Sequence, residues 1–120
     1  MHHASALAGF IARSGGPTIQ EESNRVVINL PDQELKTGSA VATGAGTLPF
    51  KKIIHTVGPV WQRGGDEKVT QLKSSVNECL EVAGLLKLQS LAIPAISSGV
   101  HGFPRDLCAH YFIQQVLSYA

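Results

Sequence analysis

The chain has few of the features that mark a secreted, membrane-bound or nucleic-acid-binding protein. Only 2 of its 120 residues are cysteine, which is too few for a disulfide framework. Its 10 basic and 9 acidic residues leave a formal net charge of +1, so there is no electrostatic case for binding DNA, RNA or a membrane surface. No apolar run approaches the length of a membrane span, and the N-terminus lacks a signal-peptide pattern. We therefore expect a cytoplasmic or nuclear location, with neither nucleic acid nor membrane as a direct partner.

The composition is typical of a small globular domain. Hydrophobic residues make up 43% and charged residues 16% of the chain, enough for a modest core. Because repeats and low-complexity tracts are absent, residues 1–120 are expected to form a single domain. His2 and His3 are too few for a metal site, and no cofactor is predicted. Cys79 and Cys108 lie on the apolar faces of predicted helices, which favours buried thiols over a disulfide or a catalytic thiol.

Two helices are predicted near the N-terminus. The first covers residues 4–14 and ends at Gly15-Gly16. Its inner face is expected to hold Leu7, Phe10, Ile11 and Ser14. The second begins at Pro17, and its inner side is expected to hold Ile19, Ser23, Val26 and Val27. Glu21 and Glu22 are placed in its first turn, where carboxylates stabilise the helix dipole, which favours a structural role over acid–base catalysis.

Two more helices are predicted in the C-terminal half. Asp66 is the expected N-cap of the longest helix, which covers about twenty residues by its pattern. Its apolar stripe consists of Val69, Leu72, Val76, Cys79, Leu80, Ala83 and Leu86. The last helix is expected to open at Pro104, because proline favours the first helical position. One side of it carries Leu107, Cys108, Tyr111, Phe112, Gln115 and Tyr119.

Three strands are predicted between these helices. Residues 38–43 are small, and residues 51–57 are rich in β-branched side chains. Residues 91–96 form a short apolar run that suits a strand buried on both faces. His55 has no acidic or nucleophilic neighbour in sequence, so a hydrogen-bonded strand histidine is favoured over a catalyst. Strands separated by helices predict a three-layer α/β fold, with ligands at the carboxyl ends of the strands.

The loop after the third predicted strand is the main candidate for a ligand site. Gly99 and Gly102 permit positive φ angles and a close approach of the backbone to a ligand. The N–H groups of such a turn and of the following helix start attract anions, so a phosphate or diphosphate is the natural ligand. The spacing is neither that of a Walker loop nor that of a dinucleotide fingerprint. From the loop alone, an ordinary strand-to-helix connection is an equally good interpretation.

Three segments match one known family in order and spacing. They are residues 8–23, residues 38–59 with Gly-Ala-Gly-Thr-Leu-Pro and Ile-Ile-His-Thr-Val-Gly-Pro, and residues 92–104. On these segments the chain resembles the macrodomains, modules that bind ADP-ribose. In particular, the sequence resembles the macrodomains carried by the mono-ADP-ribosyltransferases of the poly(ADP-ribose) polymerase superfamily. The resemblance implies a three-layer α/β/α fold and ADP-ribose, free or on a mono-ADP-ribosylated protein, as the ligand.

The resemblance also implies two ligand-binding segments. One is the loop whose backbone wraps the diphosphate, made of Ser97, Ser98, Gly99, Val100, His101, Gly102 and Phe103. His101 stands where the family often has an aromatic residue against the phosphate or distal ribose, and a protonated imidazole would add positive charge there. The other segment is the first ligand loop, made of Ser5, Ala6, Leu7 and Ala8. No catalytic or metal-binding residue is assigned.

The chain departs from the family pattern in two places. Ser5 and Ala6 stand where macrodomains carry glycines, and hydrolytic members use those glycines in their catalytic loop, so binding is favoured over hydrolysis. The family's Asn-Ala-Ala-Asn segment, the strand before it and its adenine-recognising aspartate have no counterpart here, nor does its terminal strand. Residues 1–120 are therefore expected to be a partial macrodomain with an incomplete sheet and exposed apolar faces.

Three functions follow from these observations. The favoured one is non-enzymatic binding of ADP-ribose or ADP-ribosylated protein. The first alternative is an ADP-ribosyl hydrolase that removes ADP-ribose from proteins or acts on its O-acetylated form. The second alternative is a truncated macrodomain that has lost ligand binding.

Overall fold

The computed structural model describes residues 6–99 and 101–119. These residues form helices and a small antiparallel sheet, as expected of an α/β protein. In chain order the elements are α1 (Ala6–Gly15), α2 (Pro17–Ile28), β1 (Ala40–Thr43), β2 (Ile53–Thr56), α3 (Asp66–Leu85) and α4 (Arg105–Tyr119). A short 3-10 turn, Pro31–Gln33, follows α2. None of the helices within the described ranges is long and apolar enough to cross a membrane.

The described residues divide into two compact units. The first contains residues 6–35 and 41–55, and the second contains residues 36–40, 56–99 and 101–119. The first unit therefore holds α1, α2 and most of the sheet, whereas α3, α4 and the predicted anion loop belong to the second.

The packing face of α1 differs from the prediction. Phe10 is 62% exposed and Leu7 is 50% exposed, whereas Gly9 and Gly15 are buried. Gly15 lies against Ile19 of α2 so closely that a Cβ at this position would overlap the isoleucine side chain. At this contact a glycine of α1 meets an isoleucine side chain of α2, whereas Leu7 and Phe10 of α1 remain exposed.

The buried side of α2 is the predicted one, but the positions of its acidic residues in the helix differ from the prediction. Ile19, Ser23 and Val27 are buried, and Val26 is half-buried. The prediction that Glu21 and Glu22 occupy the first turn is wrong, because the helix begins at Pro17 and both residues follow that turn. The carboxylate of Glu22 instead accepts a hydrogen bond from the Gly44 N–H at 3.1 Å, which ties α2 to the end of β1.

The two strands of the sheet confirm two of the three strand predictions. β1 and β2 pair with each other, and each is shorter than its predicted range. Buried His55 on β2 has its Nε2 atom 2.8 Å from the Thr43 hydroxyl oxygen on β1. His55 is therefore the hydrogen-bonded strand histidine that was expected.

The prediction of a strand buried on both faces at residues 91–96 is wrong. This stretch has no regular strand structure, and Leu91 and Ala92 are exposed. A strand is stabilised by the ladder of hydrogen bonds to its neighbours. In the parts of the chain that the structure describes, the only sheet is the pairing of β1 with β2, so residues 91–96 have no ladder to join.

The core of the second unit lies where α3 packs on α4. Leu72, Phe103 and Cys108 form its centre, and the predicted stripe of α3 is buried at Leu72, Val76, Cys79 and Ala83. Both cysteines are buried free thiols, as predicted. Asp66 is not the N-cap: Gly65, with φ of 108°, holds that position, and Asp66 is the first helical residue. The last helix, α4, begins at Arg105, one residue after the predicted start at Pro104. The Pro104 carbonyl accepts a hydrogen bond from the Cys108 N–H at 2.8 Å.

Candidate functional site

The glycine loop, residues 97–103, is closed on itself by backbone hydrogen bonds. The Phe103 N–H donates to the Ser97 carbonyl at 2.8 Å, which joins the two ends of the loop. Inside this closure, the Gly102 N–H donates to the Gly99 carbonyl at 2.9 Å. At the entrance, the Ser98 hydroxyl and N–H both donate to the Ala95 carbonyl. The loop is therefore a compact turn rather than an open connection.

The left-handed backbone positions of the loop are only partly those predicted. Gly102 has φ of 76°, in the region that favours glycine. Gly99 does not lie in that region, and Ser97 does, with φ of 67°. A serine in this conformation is uncommon and costs backbone energy. The prediction of positive φ is thus confirmed for Gly102 and wrong for Gly99.

The hydrogen bonds decide which amides of the loop remain available to a ligand. The N–H groups of Ser98, Gly102 and Phe103 already have protein acceptors. Those of Ser97, Gly99 and His101 have none among the described residues, and the last two lie between the bonded ends of the loop. A Cβ built at Gly99 or Gly102 would have no atom within 4 Å, so the backbone borders open space at both glycines. Between its bonded ends the loop thus offers two described backbone donors beside room for an anion, fewer than a fully open loop would provide.

The segment between β2 and α3 lies against this loop. The backbone N–H of Trp61 donates to the His101 carbonyl at 2.8 Å, and the centroids of the Trp61 and Phe103 rings lie 4.5 Å apart. Phe103 is only 1% exposed. Neither contact was predicted from the sequence, and the signal that could have found them is Trp61 itself, because tryptophan is on average a highly buried residue.

The loop is also held from α4. The Cys108 thiol donates to the Ile96 carbonyl at 3.1 Å. Burial raises the pKa of the Cys108 thiol, so the thiol favours its neutral form. The residue therefore packs and donates at the base of the loop, and its environment does not activate it as a nucleophile.

The other predicted segment belongs to the first unit. Ala6 is the first residue of α1, and Leu7 and Ala8 lie in the first helical turn. The Leu7 side chain is exposed, and Ala8 is half-buried. Ser5 of this segment and Val100 of the glycine loop lie outside the described residues. Within the part that is described, no three His, Cys, Asp or Glu side chains are grouped as metal ligands would be.

Comparison with known proteins gives consistent matches. The family model described as the Macro domain matches residues 1–112. Protein mono-ADP-ribosyltransferase PARP9 of Mus musculus is 38% identical over 120 residues, which cover 98% of this chain and 14% of the mouse protein. O-acetyl-ADP-ribose deacetylase 2 of Pantoea vagans is 43% identical over 101 residues, which cover 84% of this chain and 58% of the enzyme.

A solved structure agrees with these matches. The Oceanobacillus iheyensis macrodomain with ADP superimposes with a TM-score of 0.90 and 32% sequence identity. The match covers 96% of this chain and 61% of the bacterial one. The chain thus spans between 14% and 61% of the lengths of these three proteins.

Proposed function

We propose that this chain, which belongs to the macrodomain family, binds ADP-ribose, either free or attached to protein. The family-model match and the structural similarity confirm the family and the α/β macrodomain fold that the sequence motifs implied. Because the chain spans only part of its relatives, activities named for those whole proteins do not pass to it directly. The proposal rests on what its own residues offer.

One observation carries the proposal: Gly99 and His101 present backbone donors without protein acceptors, beside open space at Gly99 and Gly102. Backbone N–H groups in a turn bind phosphate oxygens without any charged side chain. This suits a chain whose net charge is +1. The structure of the bacterial macrodomain with ADP supports a nucleoside diphosphate as the ligand class.

The proposal assigns roles to the predicted site residues. Residues 97–103 surround the diphosphate, with Gly99 and His101 as donors and Phe103 as the buried anchor of the loop. The imidazole of His101 lies against the phosphates or the distal ribose. Residues 5–8 remain a second predicted ligand segment. Mono-ADP-ribosylated proteins in the cytoplasm or nucleus are the proposed partners, and both the partners and the location remain predictions.

Calorimetric titration with ADP-ribose tests the proposal. We expect binding by the wild-type chain and a loss of about tenfold or more in affinity for Gly99→Val, because the added side chain occupies the space that the ligand needs. Gly99 has an ordinary φ and no neighbour within 4 Å, so this variant should fold normally. Gln114→Ala, on the exposed side of α4, is the matched control and should bind like the wild type. Absence of heat with the folded wild-type chain contradicts the proposal and supports a macrodomain without ligand binding.

A second function has one observation in its favour. The Pantoea vagans relative, 43% identical, is an O-acetyl-ADP-ribose deacetylase. Incubation with O-acetyl-ADP-ribose and with an ADP-ribosylated protein separates the two functions. Heat in the titration without turnover supports a binding module, whereas release of acetate or of ADP-ribose supports a hydrolase.

A further inference from the structure

We propose that Gly58 and Trp61 are positioning residues that hold the glycine loop in its ligand-binding shape. The inference rests on the proposed binding of ADP-ribose and adds two residues outside the predicted site. Both belong to the stretch between β2 and α3, in the same compact unit as the loop. They contact different parts of the loop in different ways.

Trp61 fixes the C-terminal half of the loop. Its backbone N–H donates to the His101 carbonyl at 2.8 Å, which sets the position of the peptide that follows His101. Its ring packs on the Phe103 ring with 4.5 Å between centroids and 53° between planes. Gly64 also lies against the indole, so closely that a Cβ at this position would overlap the ring. The indole thus contacts both Gly64 and Phe103.

Gly58 fixes the N-terminal end of the loop. A Cβ at Gly58 would overlap the Ser97 Oγ and would lie 2.5 Å from the Ile96 Cγ2. Gly58 has an ordinary φ, so it is the space and not the backbone conformation that requires glycine. The close approach accompanies an unusual state of Ser97, whose φ is 67° and whose buried hydroxyl pairs with no described group. Such strained positions persist only where the surroundings enforce them.

The two contacts act on the same closed turn. The hydrogen bond from the Phe103 N–H to the Ser97 carbonyl joins the two ends, so each positioning residue holds one end of a single unit. Between the ends, only the Gly99 and His101 amides lack an acceptor among the residues described. Fixing these donors before a ligand arrives lowers the ordering cost of binding. Loosening either end should therefore weaken binding even where the fold survives.

The test compares Trp61→Leu, Trp61→Phe and Gly58→Ala in the full chain, with ADP-ribose as the probe. We expect about tenfold weaker binding for Trp61→Leu and Gly58→Ala, and a change within about threefold for Trp61→Phe, because phenylalanine retains an aromatic contact with Phe103. Val69→Ala is the matched control, since Val69 packs on the same core cluster. It should lower the melting temperature while leaving the affinity within about twofold.

The outcomes separate the inference from the proposed function. If the wild type binds ADP-ribose and the Trp61→Leu and Gly58→Ala variants bind equally well, the positioning role is wrong and the binding function stands. If every variant, including Val69→Ala, loses affinity to the extent that its melting temperature falls, then Trp61 and Gly58 act only through general stability. If the folded wild type does not bind, the proposed function fails and takes this inference with it.

A measurement on the wild type alone covers the case in which a variant does not fold. Hydrogen–deuterium exchange with and without ADP-ribose reports on both segments at once. We expect ligand protection at residues 99–103 and also at residues 58–61, because the Trp61 N–H is bonded into the loop. Protection of the loop with unchanged exchange at residues 58–61 overturns the inference. The chain's single tryptophan gives a second signal, a change in emission on ligand addition.

Discussion

The ends and the middle of the glycine loop differ in what holds them. At the ends, Ser97 and Phe103 are bonded to each other, and Phe103 is buried in the core of the second unit. In the middle, Gly99 borders open space, and its N–H has no acceptor in the described part of the chain. The ends therefore carry stability and the middle is available for binding. Substitutions at the two places should separate these properties.

The largest expected effect is at the buried end. Phe103→Ala should lower the free energy of unfolding by about 3–5 kcal/mol, because it leaves a cavity beside Leu72 and Cys108. Urea unfolding followed by circular dichroism measures it. Phe50→Ala is the control, because this side chain is 67% exposed and its removal should change stability by about 0.5 kcal/mol or less. Equal effects of the two variants would contradict the assignment of Phe103 to the core.

The two glycines should respond differently to the same substitution. Gly102→Ala places a Cβ at φ of 76° and should cost about 1–2 kcal/mol of stability. Gly99→Ala has neither a positive φ nor a neighbour within 4 Å, and should change stability by about 0.5 kcal/mol or less. Thermal unfolding of both variants checks the comparison. A larger loss for Gly99→Ala than for Gly102→Ala would refute the described backbone of the loop.

Ser97→Gly should stabilise the chain slightly. Glycine accepts a φ of 67° without strain, and the change removes a buried hydroxyl that lacks a described partner. The gain is reduced by the greater freedom of glycine in the unfolded chain, so about 0.5–1 kcal/mol is expected. Ser97→Ala, which retains the strained backbone, is the matched comparison in urea unfolding. Ser97→Gly should be the more stable of the two, and the reverse order would argue against strain at Ser97.

The smallest expected effect is a pH dependence from the buried thiols. Burial raises the pKa of Cys79 above the ordinary value of 9.0, and the nearby Thr56 hydrogen bond only partly opposes this. As pH rises past that value, the unfolded thiol loses its proton before the folded one, so the free energy of unfolding falls. Denaturation from pH 7 to 10 should show a shallower decline for Cys79→Ala than for the wild type. Parallel curves for the two proteins would show that the Cys79 thiol contributes nothing to the pH dependence of stability.

The strands show what the sequence can and cannot predict. Residues 38–43 and 51–57 were predicted as strands, and β1 and β2 formed within them because each has the other as a partner. Residues 91–96 are at least as apolar, yet form no strand. An apolar run indicates a segment that suits a sheet, but a strand also needs a neighbouring strand to complete its hydrogen bonds, and in the described chain none pairs with residues 91–96. Local pattern alone does not supply it.

The position of the glycine loop was predicted from the sequence, but its conformation was not, and its role as a ligand site stays a prediction. Sequence motifs located the loop and its glycines, because backbone requirements at such positions are local. The positive φ of Ser97 and the contacts of Gly58 and Trp61 depend on tertiary packing, which spacing does not encode. The same limit applies to α1, where helical periodicity predicted an inner face at Phe10 that packing through Gly15 leaves exposed.

The most direct test of the central claim is a ¹⁵N-labelled titration with ADP-ribose, followed by the backbone amide signals of the loop. We predict large shifts of the Gly99 and His101 amides, because between the bonded ends of the loop these are the described donors without protein acceptors. The Gly102 and Phe103 amides should remain protected from solvent exchange, since their internal hydrogen bonds persist. Saturable binding that leaves the Gly99 and His101 signals unchanged would contradict the account.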